Sequence, residues 1–342
     1  MDYSEPNLKG FLAYKGDDGS DDSDNDSDGD GGGDSSLREL ERERNMLRIL
    51  QWAKHIVTGV NISDDPLTER FRWILPHGMR KNSWLYTEFI ENGTVGTFIR
   101  RAREKQIRLP NRLLWRFFQC LIRMVIALGW PPGKPDGEDP RPVIEQINGP
   151  AYGALEHADL FLDASVGNLM IGALSPEDPE SEHALTPILC LIDLADVRKR
   201  GNTAEANRNA ICTNLYEIVG CAMILFITLD HMAAVAVHHR DGQPKQFRDP
   251  GGSVYHTYAG VLIDEKNRND PFPWLDDILR ILVCQCLAAE NDRRPEPQEL
   301  LRITNDCLKL RDERYFASLP GYDGSESDEH IRLVLSALIF DA

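Results

Sequence analysis

The stretch Arg112 to Leu128 is apolar almost throughout and is closed by Gly129-Trp130-Pro131-Pro132. A helix that is hydrophobic on every side has to be buried on every side. The prolines end it, since proline has no amide to continue the ladder. A second apolar segment, Cys212 to Leu229, predicts another buried helix. Its longest unbroken run, Ile218 to Leu229, is 12 residues, short of the roughly 18 that a bilayer span needs. Two core helices must be wrapped by further elements, and 342 residues, 42% of them hydrophobic, are enough for one large domain with its own core.

The remaining pattern is mixed. Leu40, Met46, Leu47 and Leu50 recur at helical spacing after Ser35-Ser36 and predict an amphipathic helix over Leu37 to Trp52. Two β-like runs follow, Phe71 to Leu75 and Trp84 to Ile90, the second closed by the turn signal Glu91-Asn92-Gly93, with a helix starting near Thr94. A Pro/Gly-rich loop spans 131 to 151. Two short strands, Leu169 to Gly172 and Ile188 to Ile192, are expected to flank an acidic loop. Helices at Leu275 to Ala289 and Gln298 to Arg311 are separated by Arg294-Pro295-Glu296-Pro297.

The formal charge is -17, but residues 17 to 34 hold nine aspartates and no basic residue, so only -8 belongs to the remainder. A segment of Asp, Ser, Gly and Asn buries too little apolar surface to offset its ordering entropy, so residues 17 to 36 read as a disordered acidic segment. Asp24, Asp26, Asp28 and Gly29 match the opening of an EF-hand loop, yet Ser35 stands where a bidentate glutamate is required, so calcium is not expected. Overall acidity gives no general attraction to nucleic acid or to an anionic membrane, which leaves small-molecule and protein partners. Seven cysteines without zinc-knuckle spacing, and an N-terminus lacking the charged flank and apolar run of a signal peptide, point to free thiols and a cytoplasmic or nuclear location.

The chemistry-bearing region is Phe161-Leu162-Asp163-Ala164-Ser165-Val166-Gly167-Asn168-Leu169-Met170-Ile171-Gly172, followed by Leu191-Ile192-Asp193-Leu194-Ala195. A loop carboxylate, an amide five residues on at the mouth of a strand, and a second carboxylate after the next strand form the base and metal set of phosphoryl transfer. The first accepts a hydroxyl proton. The amide oxygen and the second carboxylate hold magnesium against a triphosphate.

In this order and spacing the chain resembles the eukaryotic protein kinase-like family, specifically a divergent fungal-type branch with a long acidic loop between the two strands, here Glu177 to Pro187. The resemblance implies an α+β protein kinase-like two-lobed fold with a reduced N-lobe and a mostly helical C-lobe. It implies Asp163 as catalytic base and Asn168 and Asp193 as metal ligands, with ATP and Mg as cofactors and a protein as substrate or partner. Trp84 to Gly93 is similar to the hinge, with Thr87 at the gatekeeper position and Glu88 and Ile90 offering backbone groups to adenine. Glu43 resembles the ion-pair glutamate of helix C, with Glu39 and Glu41 as alternatives, and Lys15 stands as the phosphate-pairing lysine. Arg112 to Leu128 corresponds to helix E, Asn214 to Leu229 to helix F, and Asp292-Arg293-Arg294-Pro295 to the Arg-Pro signature. The implied division is a tail over 1–36, a kinase-like domain over 37–316 with its N-lobe remnant at 37–91 and C-lobe at 92–316, and an extension over 317–342.

There are departures. Phe161 and Leu162 replace His and Arg, Leu194-Ala195 replace Phe-Gly, Asn214 replaces the helix F aspartate, and no Ala-Pro-Glu motif lies between Asp193 and Asn214. No glycine-rich loop precedes Gly10. His157-Ala158-Asp159 offers a competing base, but Asp159 stands nine residues before Asn168 rather than five. These losses keep open a pseudokinase, a binding or scaffold module without efficient transfer. Two further features read as surface: His238-His239 as a turn, and Arg198-Lys199-Arg200 as a basic cluster able to meet phosphate or the acidic segment.

Overall fold

A computed structural model describes residues 32–60, 85–136, 141–157, 166–175, 182–249, 251–263 and 270–340. Lys15, Asp159, Asp163, the Phe71 to Leu75 run and most of the acidic segment lie outside the described residues. The described chain is mixed α and β, with long helices and three two-stranded antiparallel ladders.

Helix α1, Gly32–Leu50, begins ahead of the expected Ser35-Ser36 cap and buries Leu47 and Leu50. Helix α2, Val95–Glu104, starts where Thr94 accepts a hydrogen bond from the Thr97 amide at 3.1 Å. Helix α3, Asn111–Gly129, is buried along almost its whole length, Trp115, Phe117 and Phe118 included, as its all-round apolar sequence requires.

Beside it runs α4, Ala204–Thr228, capped by Thr203 and carrying a wider π-helical stretch at Leu215–Cys221. Gly220 lies in this stretch because a Cβ there would run into Leu287. The helix is longer than the apolar segment from Cys212, since its first turns, with Glu205, Asn207 and Arg208, carry no apolar pattern. By length and composition it could cross a membrane, but 94% of its most apolar window is buried inside the fold. It is a core helix.

Leu229, in the left-handed region at φ 53°, ends α4, and Asp230 caps α5, His231–His238. Helix α6, Asp277–Cys286, is capped by Asp276, and α7, Pro297–Leu310, opens on a proline that needs no partner for its missing amide. The last helices are α8, Glu313–Ala317, and α9, Asp328–Leu335, which runs into a π turn at Ser336–Phe340.

The ladders are short. Strands β1 (Leu155–Glu156) and β4 (Arg198–Lys199) pair with Leu155 opposite Lys199. Strands β2 (Leu169–Ile171) and β3 (Leu189–Leu191) pair with Leu169 opposite Leu191. Strands β5 (Lys245–Arg248) and β6 (Val254–Thr257) form a peripheral hairpin.

The C-terminal segment is built into this core. Ile331, Val334, Leu335 and Leu338 are buried. Helix α3 follows Pro110, which has no capping side chain, and the Glu326 carboxylate takes that role by accepting from the amides of Asn111 at 2.8 Å and Arg112 at 3.0 Å. A carboxylate at a helix N-terminus is favoured by both the orphan amides and the helix dipole. Arg101 of α2 and Lys105, which follows it, close the clasp on the carbonyls of Leu338 and Ala337, each at 2.9 Å. Residues 317–340 are therefore packed against the domain that the sequence sets them apart from.

Candidate active site

The β2–β3 hairpin brings Asn168 and Asp193 to one end. A 3-10 turn, Val166–Asn168, leads into β2, and the Ile192 amide donates to the Asn168 carbonyl at 2.9 Å, one residue before Asp193. Asp193 has φ 56°, a left-handed conformation that costs a non-glycine residue energy and is kept where the surroundings demand it. Its Oδ1 accepts weakly from the Ala195 amide at 3.4 Å, an arrangement that a short polar side chain tolerates. Leu194 and Ala195 turn into the core.

The end of the hinge-like segment pairs with the same hairpin. Gly93, at φ 79°, makes the turn after Glu91-Asn92. The Ile171 amide donates to the Gly93 carbonyl at 2.9 Å, the Asn92 amide to the Ile171 carbonyl at 3.1 Å, and the Asn92 side chain to the Gly172 carbonyl at 2.8 Å. Upstream, Tyr86 and Glu88 pair with 58–60: the Val60 amide donates to the Tyr86 carbonyl and the Glu88 amide to the Thr58 carbonyl. The Glu88 carboxylate also accepts from the Thr58 amide at 2.7 Å. Of the two residues expected to face adenine, Glu88 thus has its amide engaged by a neighbouring strand, leaving its carbonyl, while Ile90 is buried. Glu43 is half-buried on α1 and has an interaction partner within the fold.

The end of the described segment 141–157 is anchored from α4. Asn214 accepts from the His157 amide at 2.8 Å and donates to the Leu155 carbonyl at 2.8 Å. One amide side chain thus satisfies a donor and an acceptor that would otherwise be buried unpaired. The anchored residue is two positions before Asp159.

Charge gathers near β4. A pocket of about 480 Å³ is lined by Arg42, Met46, Val197, Arg198 and Lys199, with three cationic side chains. Arg200 instead turns to the nearly buried Glu156, its Nη2 at 2.6 Å from Oε1. Buried Arg294, in the expected Arg-Pro signature, donates to the carbonyls of Ala288 and Cys212, and its guanidinium lies 4.8 Å from the Tyr216 ring centre.

One histidine reading changes. His238 is not a surface turn: it sits at the end of α5 with its ring 2.6 Å from the buried Glu217 carboxylate. A second buried group, absent from the sequence reading, joins His55, Cys120, Glu145 and His183. His55 Nδ1 lies 2.8 Å from Glu145 Oε2, and the His55 amide donates to Glu145 Oε1 at 2.7 Å. Burial works to lower the His55 pKa, but the adjacent carboxylate outweighs it and raises the ring to about 9. His183 is pushed down to about 2 by burial, assisted by the positive charges of His55 and Lys54. No local spacing signals this cluster, because its members lie on four separate stretches of chain.

Comparison with models of known protein families finds no match, and comparison with curated proteins finds none.

Proposed function

We propose that this chain is a divergent Ser/Thr-type protein kinase of the two-lobed kinase-like fold, transferring a phosphoryl group from ATP, with Mg²⁺, to a protein hydroxyl. The reading is carried by one observation: the β2–β3 hairpin carries Asn168 and the strained Asp193 at one end and pairs with Asn92 and Gly93, the end of the hinge-like segment. An amide oxygen and a carboxylate are the hard donors that magnesium takes. When bound, that ion offsets the charge on the phosphate oxygens during transfer.

The chain's own groups would divide the remaining work. Asp163, five residues before Asn168 in the sequence, takes the proton of the attacking hydroxyl. The Glu88 carbonyl and the Ile90 backbone hold adenine. Lys15 pairs with phosphate and with Glu43. Arg42, Arg198 and Lys199 draw polyanions toward the pocket they line. The Asn214 contact favours a second assignment of the base, Asp159, because the anchored His157 would then open the catalytic loop. Loss of transfer with retention of the fold, a scaffold role, is favoured by buried Leu194 and Ala195 where the family has Phe-Gly.

The deciding experiment is a thermal shift of the purified chain with ATP, with and without Mg²⁺, alongside Asp193→Asn. A magnesium-dependent stabilisation lost in the variant supports a nucleotide-metal site; no shift in a folded sample favours the scaffold. Phosphoryl transfer by Asp163→Ala and Asp159→Ala then identifies the base. An unchanged rate in both sinks the kinase reading.

A further inference from the structure

Three residues that the proposed transfer chemistry does not use meet in the core. A ring nitrogen of His55, the Cys120 sulfur and a ring nitrogen of His183 all lie within 4.8 Å of one another, and all three residues are buried. The rings of His55 and His183 stand edge to face, 5.4 Å between centres. Around a tetrahedral zinc ion with Zn–S of ~2.3 Å and Zn–N of ~2.0–2.1 Å, ligand atoms stand about 3.3–3.6 Å apart. The three donor atoms, no more than 4.8 Å apart, therefore stand at most about 1.5 Å wider than three corners of a tetrahedral shell.

We propose that His55, Cys120 and His183 form a buried structural site for one thiophilic d10 metal ion, zinc in the first instance.

Three observations converge on it. The donor set, two imidazoles and one thiol, is the borderline-soft combination that such ions select over magnesium or calcium. His55 is already oriented as a ligand: Nδ1 is held by Glu145 at 2.8 Å, which fixes the ring, while Nε2 is buried with no hydrogen-bond partner among the described residues. A carboxylate behind a histidine is the usual second partner of a metal-bound imidazole.

The charges also close. A divalent ion, the Cys120 thiolate and the Glu145 carboxylate sum to zero, so burial leaves no uncompensated charge. The Cys120 thiol proton and the Nε2 proton of the His55 imidazolium leave as the ion enters, while Nδ1 keeps its proton on Glu145. The neighbouring Glu182 is independently matched by Arg123, at 2.5 Å.

The ligands come from three elements that only the folded chain brings together. His55 follows α1 and its carbonyl accepts from the Leu191 amide of β3 at 2.9 Å; Cys120 is mid-α3; His183 precedes β3 and its carbonyl accepts from Ser175 at 2.9 Å. An ion here would pin the segment after α1 to α3 and to the hairpin that carries Asp193.

The test uses the untagged full chain, produced with zinc and passed through gel filtration, with bound metals counted by plasma mass spectrometry. One zinc per chain is expected, or one copper if the site takes the monovalent ion; no metal above background overturns the proposal. X-ray absorption at the bound metal should find one sulfur with imidazole nitrogens, and a shell of oxygens alone or of several sulfurs also overturns it. This readout needs no variant to fold. After chelation, added Co²⁺ should give a thiolate charge-transfer band that falls at least tenfold in Cys120→Ser and His183→Asn. Retention of the band in either variant, checked for folding by circular dichroism, places the metal elsewhere and refutes the assignment. None of these measurements depends on phosphoryl transfer, so this proposal and the kinase reading fail separately.

Discussion

The Asn214 side chain holds the backbone of His157, accepting its amide at 2.8 Å while donating to Leu155 two residues earlier. Both residues are buried, so neither backbone group has water as an alternative. Asn214→Ala should therefore cost about 2–3 kcal/mol, the penalty of orphaning buried polar groups. Asn214→Asp keeps the acceptor but sets a carboxylate oxygen against the Leu155 carbonyl, so it should also destabilise. Urea denaturation of the two variants beside the parent measures both.

Asp193 separates strain from chemistry. At φ 56° an alanine pays the left-handed penalty of about 1–2 kcal/mol, while glycine does not. Asp193→Gly should thus be about 1 kcal/mol more stable than Asp193→Ala in chemical denaturation, and both should lose any magnesium-dependent response to ATP. Equal stability of the two would mean that the backbone leaves the left-handed region at this residue.

Glu326 caps α3 with two backbone amides and also accepts from the Asn111 side chain at 3.0 Å. Glu326→Ala should lower stability by about 2–3 kcal/mol, the range for hydrogen bonds to a charged group. Glu326→Gln, which keeps one acceptor oxygen, should lose less. A melting-temperature comparison ranks the three.

The same clasp has an acid-sensitive edge. Hydrogen bonds from the Ser325 side chain and backbone, with Arg108 behind them, hold the Asp323 carboxyl down at about 2 against an ordinary 3.8. A carboxyl whose pKa is depressed by folding contributes stability above its unfolded value and loses it as pH falls through the folded one. The stability difference between the parent and Asp323→Asn should therefore be present above pH 3.8 and vanish as the pH falls through about 2. It will be small, since the Arg108–Asp323 pair is open to solvent.

All seven cysteines are reduced and buried, and burial raises the Cys284 thiol to about 12. Thiolate is the reactive form. A thiol-specific disulfide reagent should label the native chain slowly at pH 8 and reach seven equivalents per chain in denaturant. Rapid native labelling would show that the core opens readily.

The parts of the fold written locally were legible. Arg112 to Leu128 became Asn111–Gly129 because composition and the trailing prolines fix a buried helix with a definite end. The strand pair around Asn168 and Asp193 was readable for the same reason, short apolar runs bounded by turns. The β1–β4 ladder was not, since two residues per strand carry no period. Nor was the polar start of α4, whose capping residue Thr203 resembles any loop threonine. The His55–Glu145 contact spans 90 positions and the Glu326 cap 215. Such pairs follow from how elements pack, which no window of sequence contains.

The Glu326 cap sets an order on biosynthesis. At roughly 5–20 residues per second, the ribosome delivers Glu326 about 10–40 s after Asn111. Throughout that interval α3 must persist with its first amides unclaimed by their final partner. A chain cut short between Lys199 and Glu326 would contain every residue of the proposed transfer site yet lack the latch on its central helix, so α3 is finished by a segment made long after it.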